Sequence, residues 1–352
     1  MVYSSSYIWS EYKFGTPYHF FIMQTIFIIM GILLMKIISN TDYKKLKYNS
    51  NKILLFCILL LILVLVPGLG KVRNGSRSWF GIGPFGIQPS EIAKIGLIIF
   101  ISKYLSKNEK KMKSIKKGVL PILGVVLFIF FMIMLEPDFG TGMIITMTGL
   151  TMIFISKANF NFIYKLGIVG LVLVAILILI APYRLERIVS FLNPWKDPLG
   201  SGFQIIQSLY AIGPHGLLGA GYLNSIQKNF YLPEPETDFI FSIISEEFGF
   251  LGVLVVSFLF ISIFYICMKI FFKSKDLFAK YLVFGLSFGI ILQALLNLSV
   301  VVGLIPVTGV TLPFISYGGS SLLTSFISIG IILNIEKTMR KIKKTLNNNN
   351  RG

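Results

Sequence analysis

Five carboxylates lie within the stretch Phe230–Gly249, at the start of a long apolar segment: Glu234, Glu236, Asp238, Glu246 and Glu247. The whole chain has only 15 acidic residues, so a third of them fall within twenty positions. An ionisable group beside a membrane-spanning helix is costly to desolvate, which makes acids in such a place candidates for a functional site. This stretch is therefore where the chain could carry chemistry.

Asp238 is the strongest candidate in this stretch. Pro233 and Pro235 fix their own φ and disfavour helix in the residues before them. The following helix is therefore predicted to begin near Thr237 or Asp238. The alternative is that one of these two residues only caps the helix, a role that both residue types fill well. The residue types alone leave both possibilities open.

The following helix is predicted to run to Phe272, about 34 residues or roughly 50 Å if fully helical. Because this exceeds the hydrocarbon core of a bilayer, its first turns should project outward, or the helix should break near Gly249 or Gly252. Glu246 and Glu247 point about 100° apart on such a helix. We expect one of them to bind a cation or pair with an arginine, and the other to be exposed at the interface.

Three basic residues could bind an anionic group. Lys94 stands three residues after Glu91, where it can form a local ion pair or point into an outward cavity. Arg184 and Arg187 follow a predicted membrane exit, and arginine side chains match phosphate oxygens well, but both could equally be solvated. Asp138 is expected to form a tight outer turn.

The composition places these residues in a membrane protein. Of the 352 residues 55% are hydrophobic and 14% are charged, and the mean hydropathy is +0.78, whereas a soluble domain has about a quarter charged residues. The net charge of +18 is interpreted as lysines retained on the cytoplasmic side, so no nucleic-acid partner is expected. Cys57 and Cys267 lie in apolar runs, which argues against a disulfide or metal site, and no nucleotide-binding motif occurs.

The apolar runs predict an all-α, polytopic membrane protein, since a span needs about 20 mostly apolar residues. The nine predicted spans are Tyr18–Ile38, Ile53–Pro67, Pro89–Leu105, Gly118–Leu135, Phe139–Ser156, Ile163–Pro182, Phe239–Phe272, Tyr281–Ile305 and Gly319–Ile335. Of the 33 lysines and arginines, 23 fall in the loops of one side and in the tail, so that side and the C-terminus are predicted to be cytoplasmic. One membrane domain is expected over residues 1–352, with a basic cytoplasmic tail at 336–352.

Two outer loops are too long to be simple connectors. The first, Gly68–Gln88, is rich in glycine and aromatic residues and is predicted to lie in the interface, with Trp79 and Phe80 as anchors. The second covers residues 183–237. Within it, Gly202–Gly221 is apolar and weakly helical and is predicted to dip into the membrane, where irregular backbone must line a cavity or be buried in protein.

Six motifs, in this order, resemble those of the SEDS proteins (shape, elongation, division and sporulation) over nearly the whole chain. They are Val72–Trp79, Gln88–Glu91, Pro137–Thr141, Asn193–Ser208, Phe230–Glu247 and Gly303–Ser321. The residues Phe230–Pro235 and the start at Met1 resemble the FtsW/SpoVE branch of the family more than the RodA branch.

The resemblance implies a peptidoglycan glycosyltransferase that polymerises lipid II at the outer face of the cell membrane and releases undecaprenyl pyrophosphate. It places the family's catalytic aspartate, a general base, on Asp238, and its cavity-lining basic positions on Lys94 and Arg77. The pyrophosphate could be held by these two residues, by Arg184 and Arg187, or by a divalent cation, Mg²⁺ or Mn²⁺. No nucleotide or organic cofactor is expected, and no set of protein metal ligands is predicted.

The partners that the resemblance implies are lipid II, membrane lipids, a class B penicillin-binding protein acting as transpeptidase, and other proteins of the division complex. The implied place is the division or sporulation septum. Glu91, Glu246 and Glu247 complete the predicted substrate-binding set as supporting groups. Two alternatives from other classes are a transporter that flips lipid II and a non-catalytic scaffold; acids at the outer face rather than the midplane favour the enzyme.

The sequence departs from the family pattern in four places. The family has ten spans, and Met1–Ser4 matches the end of its first helix, so that helix is expected to be missing here. His215 stands where a glycine is usual, and Gly221–Ser225 differs from the usual wording. Glu136 replaces a usual glutamine.

Overall fold

The computed structural model describes residues 1–73, 75–82, 85–158 and 182–349, with scattered positions between 164 and 180. Within these residues the chain forms eleven α-helices and one small sheet. The helices are α1 (Val2–Phe14), α2 (His19–Ser39), α3 (Lys44–Leu65), α4 (Pro89–Lys107), α5 (Leu120–Leu135), α6 (Phe139–Phe154), α7 (Pro182–Leu192), α8 (Phe203–Ile212), α9 (Ile240–Lys273), α10 (Leu277–Val301) and α11 (Gly319–Asn349). A 3₁₀ turn, Glu109–Lys113, follows α4.

The helices confirm a mostly helical, multi-pass membrane protein. Six helical segments in the described part of the chain are long and apolar enough to cross a membrane: His19–Ser39, Lys44–Leu65, Ile115–Leu135, Ile240–Lys273, Leu277–Val301 and Gly319–Thr345. The predicted spans Pro89–Leu105 and Phe139–Ser156 are helices too, α4 and α6. Of the 20 residues of the predicted span Ile163–Pro182, nine lie outside the described residues.

Two helices extend far beyond the predicted spans. Helix α3 begins at Lys44, nine positions before the predicted Ile53, because the lysines and leucine of this loop are good helix formers that continue the helix beyond the apolar run. Helix α11 likewise continues through the basic tail to Asn349.

The loop after α3 contains a three-stranded antiparallel sheet, β1 (Lys71–Arg73), β2 (Ser76–Ile82) and β3 (Phe85–Ile87). The prediction placed this loop in the interface and included no strands. In the sequence, the Asn-Gly pair at 74–75 lies between the residues of β1 and β2, and such a pair is typical of a hairpin turn. Gly75 has a φ of 78°. The guanidinium of Arg73 lies 4.8 Å from the ring centre of Trp79 across the β1–β2 pair.

The chain divides into two compact units. The first contains Met1–Ile26, Asn161–Ile261 and Leu292–Gly318, and the second contains Phe27–Phe160, Ser262–Ile291 and Gly319–Gly352. In the second unit α3 and α4 pack closely: a Cβ on Gly96 would lie 2.5 Å from the sulfur of the buried Cys57. Small residues allow such close approach, and packing of this kind is what associates helices in lipid.

Helix α9 is broken at Gly249. The break lies in Ile240–Ile261, the part of the helix that belongs to the first unit. Gly249 has a φ of 59° and a ψ of −154°, a region that is essentially restricted to glycine. A Cβ on Gly249 would lie 2.4 Å from the backbone nitrogen of Gly219 and 2.6 Å from the carbonyl oxygen of Leu217. Backbone therefore occupies the space that a side chain would need, and the predicted break is confirmed.

The segment Gly216–Gly221 replaces the hydrogen bonds that the break removes. Two amides after the break and two carbonyls before it lose their helical partners, because a helix joins each amide to the carbonyl four residues earlier. The four replacement bonds are Phe250 N to Gly216 O (3.1 Å), Leu251 N to Leu217 O (3.2 Å), Ala220 N to Glu246 O (2.8 Å) and Gly221 N to Glu247 O (2.9 Å). All four groups are thus satisfied, as backbone at membrane depth requires.

Candidate active site

Asp238 lies in a turn two residues before α9 and is half-buried. The helix begins at Ile240, so Phe239 occupies the position directly before it. The predicted helix start near Thr237 or Asp238 is thus off by two to three positions, and neither residue holds the capping position. The carboxylate stands at the end of a turn that leads into the helix.

Three consecutive backbone carbonyls around Asp238 accept hydrogen bonds from three different residues. The bonds run from Tyr317 N to Glu236 O (2.8 Å), from Ser316 Oγ to Thr237 O (2.6 Å) and from Asn297 Nδ2 to Asp238 O (2.7 Å). We call these three donors the carbonyl clamp. Because the clamp holds three successive peptide groups, it fixes the backbone from which the Asp238 side chain projects.

Asn297 also ties the clamp to the loop between α10 and α11. Its Nδ2 donates a second hydrogen bond, of 2.7 Å, to the carbonyl of Val310, and the side chain is 1% exposed. A Cβ on Gly309 would lie 3.7 Å from Oδ2 of Asp238, so this loop passes beside the carboxylate. Asn297 is not among the predicted site residues, although an amide within a predicted span is typical of an interhelical hydrogen bond.

Glu246 is buried in the first unit, where it holds the loop after α8. It accepts a hydrogen bond from the hydroxyl of Ser225 (2.5 Å) and another from the backbone nitrogen of Ile226 (2.7 Å). Charge-assisted bonds of this kind are about twice as strong as neutral ones. Glu246 therefore anchors the outer loop.

Glu247 is fully buried beside it and forms an ion pair with Lys228, with 2.8 Å between Oε1 and Nζ. Ser4 donates to the same carboxylate oxygen, and Nζ of Lys228 lies 3.2 Å from its hydroxyl. The predicted exposure of one of the two glutamates is wrong, and the partner of Glu247 is a lysine where the prediction gave a bound cation or an arginine. No spacing rule links Lys228 or Ser4 to Glu247, because all three meet only in the tertiary fold.

Glu236 is 7% exposed, whereas Glu234, two residues earlier, is exposed. Burial raises the pKa of Glu236 to about 7, and the charges of Glu234 and Asp238 also raise it while Lys13 lowers it. The carboxyl next to Asp238 in this turn therefore changes its charge near neutral pH.

In the second unit, Glu91 and Lys94 form the local ion pair that their spacing predicted, with 2.8 Å between Oε2 and Nζ. Both side chains are buried, and the hydroxyl of Thr324 donates to the same oxygen of Glu91 (2.8 Å). The pair thus joins the start of α4 to α11. Whether Lys94 also binds an anionic group stays a prediction.

Asp138 connects the starts of two helices in the second unit. It caps α6 by accepting from the backbone nitrogen of Thr141 (3.1 Å), and it accepts from Nε2 of Gln88 (2.7 Å) and the hydroxyl of Ser90 (3.3 Å). Its observed role is that of a helix cap, directly after the turn at residues 136–137. Nearby Glu136 is fully buried, and burial, together with the charge of Asp138, raises its pKa to about 9. A neutral carboxylic acid in this place resembles the usual glutamine in shape and charge.

The three arginine candidates have different surroundings. Arg77 lies on β2 opposite Val72 and is half-buried. Arg187, exposed on α7, donates from Nη1 to the carbonyl of Val307 at 3.0 Å. Arg184 belongs to the same helix, but its side chain lies outside the described residues. Their predicted contacts with phosphate stay predictions.

A further feature that an active site could have is a group of side chains that bind a metal ion. In the ranges that the structure describes, no three His, Cys, Asp or Glu side chains come together as they would around a metal ion. A divalent cation therefore stays a prediction from the resemblance.

Comparison with known proteins identifies the group of proteins to which this architecture belongs. The FtsW/RodA/SpoVE family model, described as a cell cycle protein, matches residues 1–341. Stage V sporulation protein E of Bacillus subtilis (strain 168) is 48% identical over 340 residues, which cover 97% of this chain and 93% of the relative. This chain belongs to the FtsW/RodA/SpoVE family.

Further relatives of this FtsW/RodA/SpoVE-family protein agree. The probable peptidoglycan glycosyltransferase FtsW of Coxiella burnetii (strain RSA 493 / Nine Mile phase I) is 40% identical over 341 residues, covering 95% of this chain and 91% of the relative. A chain from a study of how a peptidoglycan synthase complex coordinates polymerization and crosslinking has a TM-score of 0.74 and 30% identity, with 90% and 89% coverage. The rod shape determining protein RodA of Thermus thermophilus has a TM-score of 0.65 and 25% identity, with 89% and 86% coverage.

The family predicted from the six motifs is thus confirmed. The SpoVE and FtsW relatives are more similar in sequence to this family member than the RodA structure is, in agreement with the predicted branch. The chain is accordingly a multi-pass membrane protein of this family.

Proposed function

We propose that this chain is a peptidoglycan glycosyltransferase that polymerises lipid II at the outer face of the cell membrane, with Asp238 as the general base. The observation that carries the proposal is the carbonyl clamp, which holds the backbone of a half-buried aspartate. Relatives named probable peptidoglycan glycosyltransferases, 35–40% identical to this chain, support the same reaction class.

In the proposed reaction, the C4 hydroxyl of one saccharide attacks the anomeric carbon of another. A bond forms between the hydroxyl oxygen and that carbon, while the bond from the carbon to the pyrophosphate oxygen breaks. The proton passes to the carboxylate of Asp238, and undecaprenyl pyrophosphate leaves with the electron pair. A single displacement of this kind inverts the anomeric centre, and a positioned base contributes about 10²–10⁴-fold to the rate.

The same reaction needs positive charge where the pyrophosphate departs. The chain's own candidates are Arg77, Lys94, Arg184 and Arg187. Lys94 already neutralises Glu91, and Arg187 donates one N–H to the carbonyl of Val307. The described residues bring no three ligand side chains together for a cation, so no step is assigned to one.

The decisive test is polymerisation by purified full-length protein supplied with lipid II. Asp238→Asn should abolish glycan chains, because the amide cannot accept the proton, while Glu234→Gln, an exposed neighbour in the same segment, should leave them unchanged. If Asp238→Asn polymerises at the normal rate, Asp238 is not the base. Lipid II movement across vesicles without any polymer from the unmodified chain would instead favour the transporter.

The proposed partner is a class B penicillin-binding protein, at the division or sporulation septum. Its support is the structural similarity to a chain of a peptidoglycan synthase complex and the sequence similarity to stage V sporulation protein E. Co-purification from membranes with a transpeptidase of that class would test the partnership. Recovery of the chain without one, under conditions that keep other membrane complexes intact, would contradict it.

A further inference from the structure

The second unit contains a cavity lined by lysines that the proposed reaction does not use. It has a volume of about 320 Å³ and is formed where α3, α4 and the turn after α4 meet. Its lining residues are Asn51, Phe100, Lys103, Tyr104, Lys107, Asn108 and Lys111. Lys103, Lys107 and Lys111 follow one another at intervals of four, so one side of the cavity carries three positive charges.

The local sequence explains why these lysines face one space. Phe100, Lys103, Tyr104 and Lys107 are three or four residues apart, and such residues share a face of a helix. The chain then continues into the 3₁₀ turn that carries Lys111. Asn108 holds the end of α4 by donating to the carbonyl of Tyr104 at 3.0 Å.

The positive charge of this cavity is not neutralised by carboxylates. Glu109 is the only acid between Ser102 and Lys117, and it is paired with Lys157 at 2.6 Å. Within the described part of the chain, none of the three cavity lysines forms an ion pair. The end of α4 contributes about half a negative charge, so three lysines leave the cavity strongly positive.

The residues that line the cavity, and its place at one end of α4, restrict the kind of ligand that could bind there. Nζ of Lys103, on α4, donates to Oδ1 of Asn51, on α3, at 3.1 Å. The hydroxyl of Tyr104 is already committed to the carbonyl of Gly118 at 2.9 Å, so its ring and that of Phe100 offer apolar surface. The cavity lies at the end of α4 that is predicted to be cytoplasmic, where basic pockets between membrane helices bind anionic headgroups.

We propose that this cavity binds the phosphate-bearing headgroup of an anionic phospholipid. The lysines contact the phosphate, and the aromatic rings contact the glycerol and the first carbons of the acyl chains. The site is independent of the glycosyltransferase reaction, since it shares no residue with the groups assigned to it.

The test uses purified full-length protein in neutral detergent, with bound lipid counted by native mass spectrometry during titration with phosphatidylglycerol or phosphatidylcholine. The variant Lys103→Gln/Lys107→Gln/Lys111→Gln should bind phosphatidylglycerol about tenfold or more weakly, since each basic residue near a headgroup contributes several-fold. The charge-retaining variant with arginine at all three positions should keep the affinity. The matched control removes three exposed lysines of α11, Lys341→Gln/Lys343→Gln/Lys344→Gln, and should leave the affinity unchanged.

Three outcomes would overturn the proposal. The first is an equal loss of binding in both glutamine variants, which would show attraction to overall charge. The second is equal binding of phosphatidylcholine and phosphatidylglycerol by the unmodified chain. The third is displacement of phosphatidylglycerol by inorganic phosphate at equal concentration, which would make free phosphate rather than a lipid the ligand.

Discussion

Asn297 donates a hydrogen bond from its side-chain nitrogen to the backbone carbonyl of Asp238, over 2.7 Å, from a position where it is almost completely buried. The two residues are 59 positions apart in the chain. The amide contacts the backbone of the proposed base, and its second bond, to Val310, holds the loop that passes the carboxylate. Asn297 is thus a positioning residue in the proposed reaction.

Replacing Asn297 by alanine should lower kcat for lipid II polymerisation about a hundredfold and leave KM nearly unchanged. A displacement of about 1 Å at a reacting group costs a factor of this size, while the substrate contacts are retained. Steady-state kinetics on the purified protein separate the two constants.

Ser208→Ala is the matched control for this variant. It also removes a buried side-chain hydrogen bond to a carbonyl near the end of α10, that of Val301 (2.7 Å), and should cost about 1–3 kcal/mol of stability without the fall in kcat. Equal loss of kcat in both variants would mean that Asn297 acts only through stability.

Breaking the ion pair of Lys228 and Glu247 should destabilise the protein strongly. Lys228→Met leaves a fully buried carboxylate without its cation, which costs about 3–5 kcal/mol. The double variant Lys228→Met/Glu247→Met should recover most of this loss, because neither charge is then buried. Unfolding by denaturant in detergent micelles measures both changes. The control Lys196→Met, at an exposed position of a 3₁₀ turn, should change stability by less than about 0.5 kcal/mol.

Gly249→Ala should be more damaging than an alanine in an ordinary helical position. Its backbone angles favour glycine alone, and a Cβ would overlap backbone of Gly219, so the cost should be about 3 kcal/mol or more. Gly124→Ala in α5 is the control, because nothing lies within 4 Å of its added Cβ and alanine is the better helix former by about 1 kcal/mol. Thermal unfolding should therefore shift in opposite directions for the two variants.

The raised pKa of Glu236 predicts that the stability of the protein depends on pH. The folded protein keeps this proton up to about pH 7, whereas the unfolded carboxyl releases it near pH 4.5. The folded state thus binds more protons between these values, and the free energy of unfolding falls as pH rises through this window. Above this pH window the free energy of unfolding has fallen by its full amount, on the order of 3 kcal/mol.

Glu236→Gln should remove this loss, so that the variant is more stable than the unmodified protein at pH 8 and similar to it at pH 4. Denaturant unfolding at a series of pH values measures the difference. Glu234→Gln, an exposed neighbour, should keep the original profile. An identical profile for Glu236→Gln and the unmodified protein would show that another group causes any pH dependence.

Local rules were sufficient for the features that depend on near neighbours in the chain. The apolar runs predicted the helices, the three-residue spacing predicted the pair of Glu91 and Lys94, and the length of α9 together with its glycines predicted the break at Gly249. These features follow from distances along one helix or from the conformational range of one residue type.

Tertiary contacts decided the rest. The burial of Glu246 and Glu247 depends on a loop about 20 positions earlier, and Glu247 also depends on Ser4. The sequence around an acid near a membrane surface does not show whether the tertiary fold brings such a partner into contact with it. The choice of Asp238 as the base came from the family resemblance and stays a prediction for the polymerisation experiment.

The repair of the break in α9 also limits how the outer loop can change in length. Gly216 and Leu217 stand in for Glu246 and Glu247 as acceptors, and Ala220 and Gly221 stand in for Phe250 and Leu251 as donors. The interval of four between the two sets is that of a helical turn. Inserting or deleting one residue between Leu217 and Ala220 would shift donors away from acceptors, so this stretch should tolerate exchanges of side chains far better than changes in length.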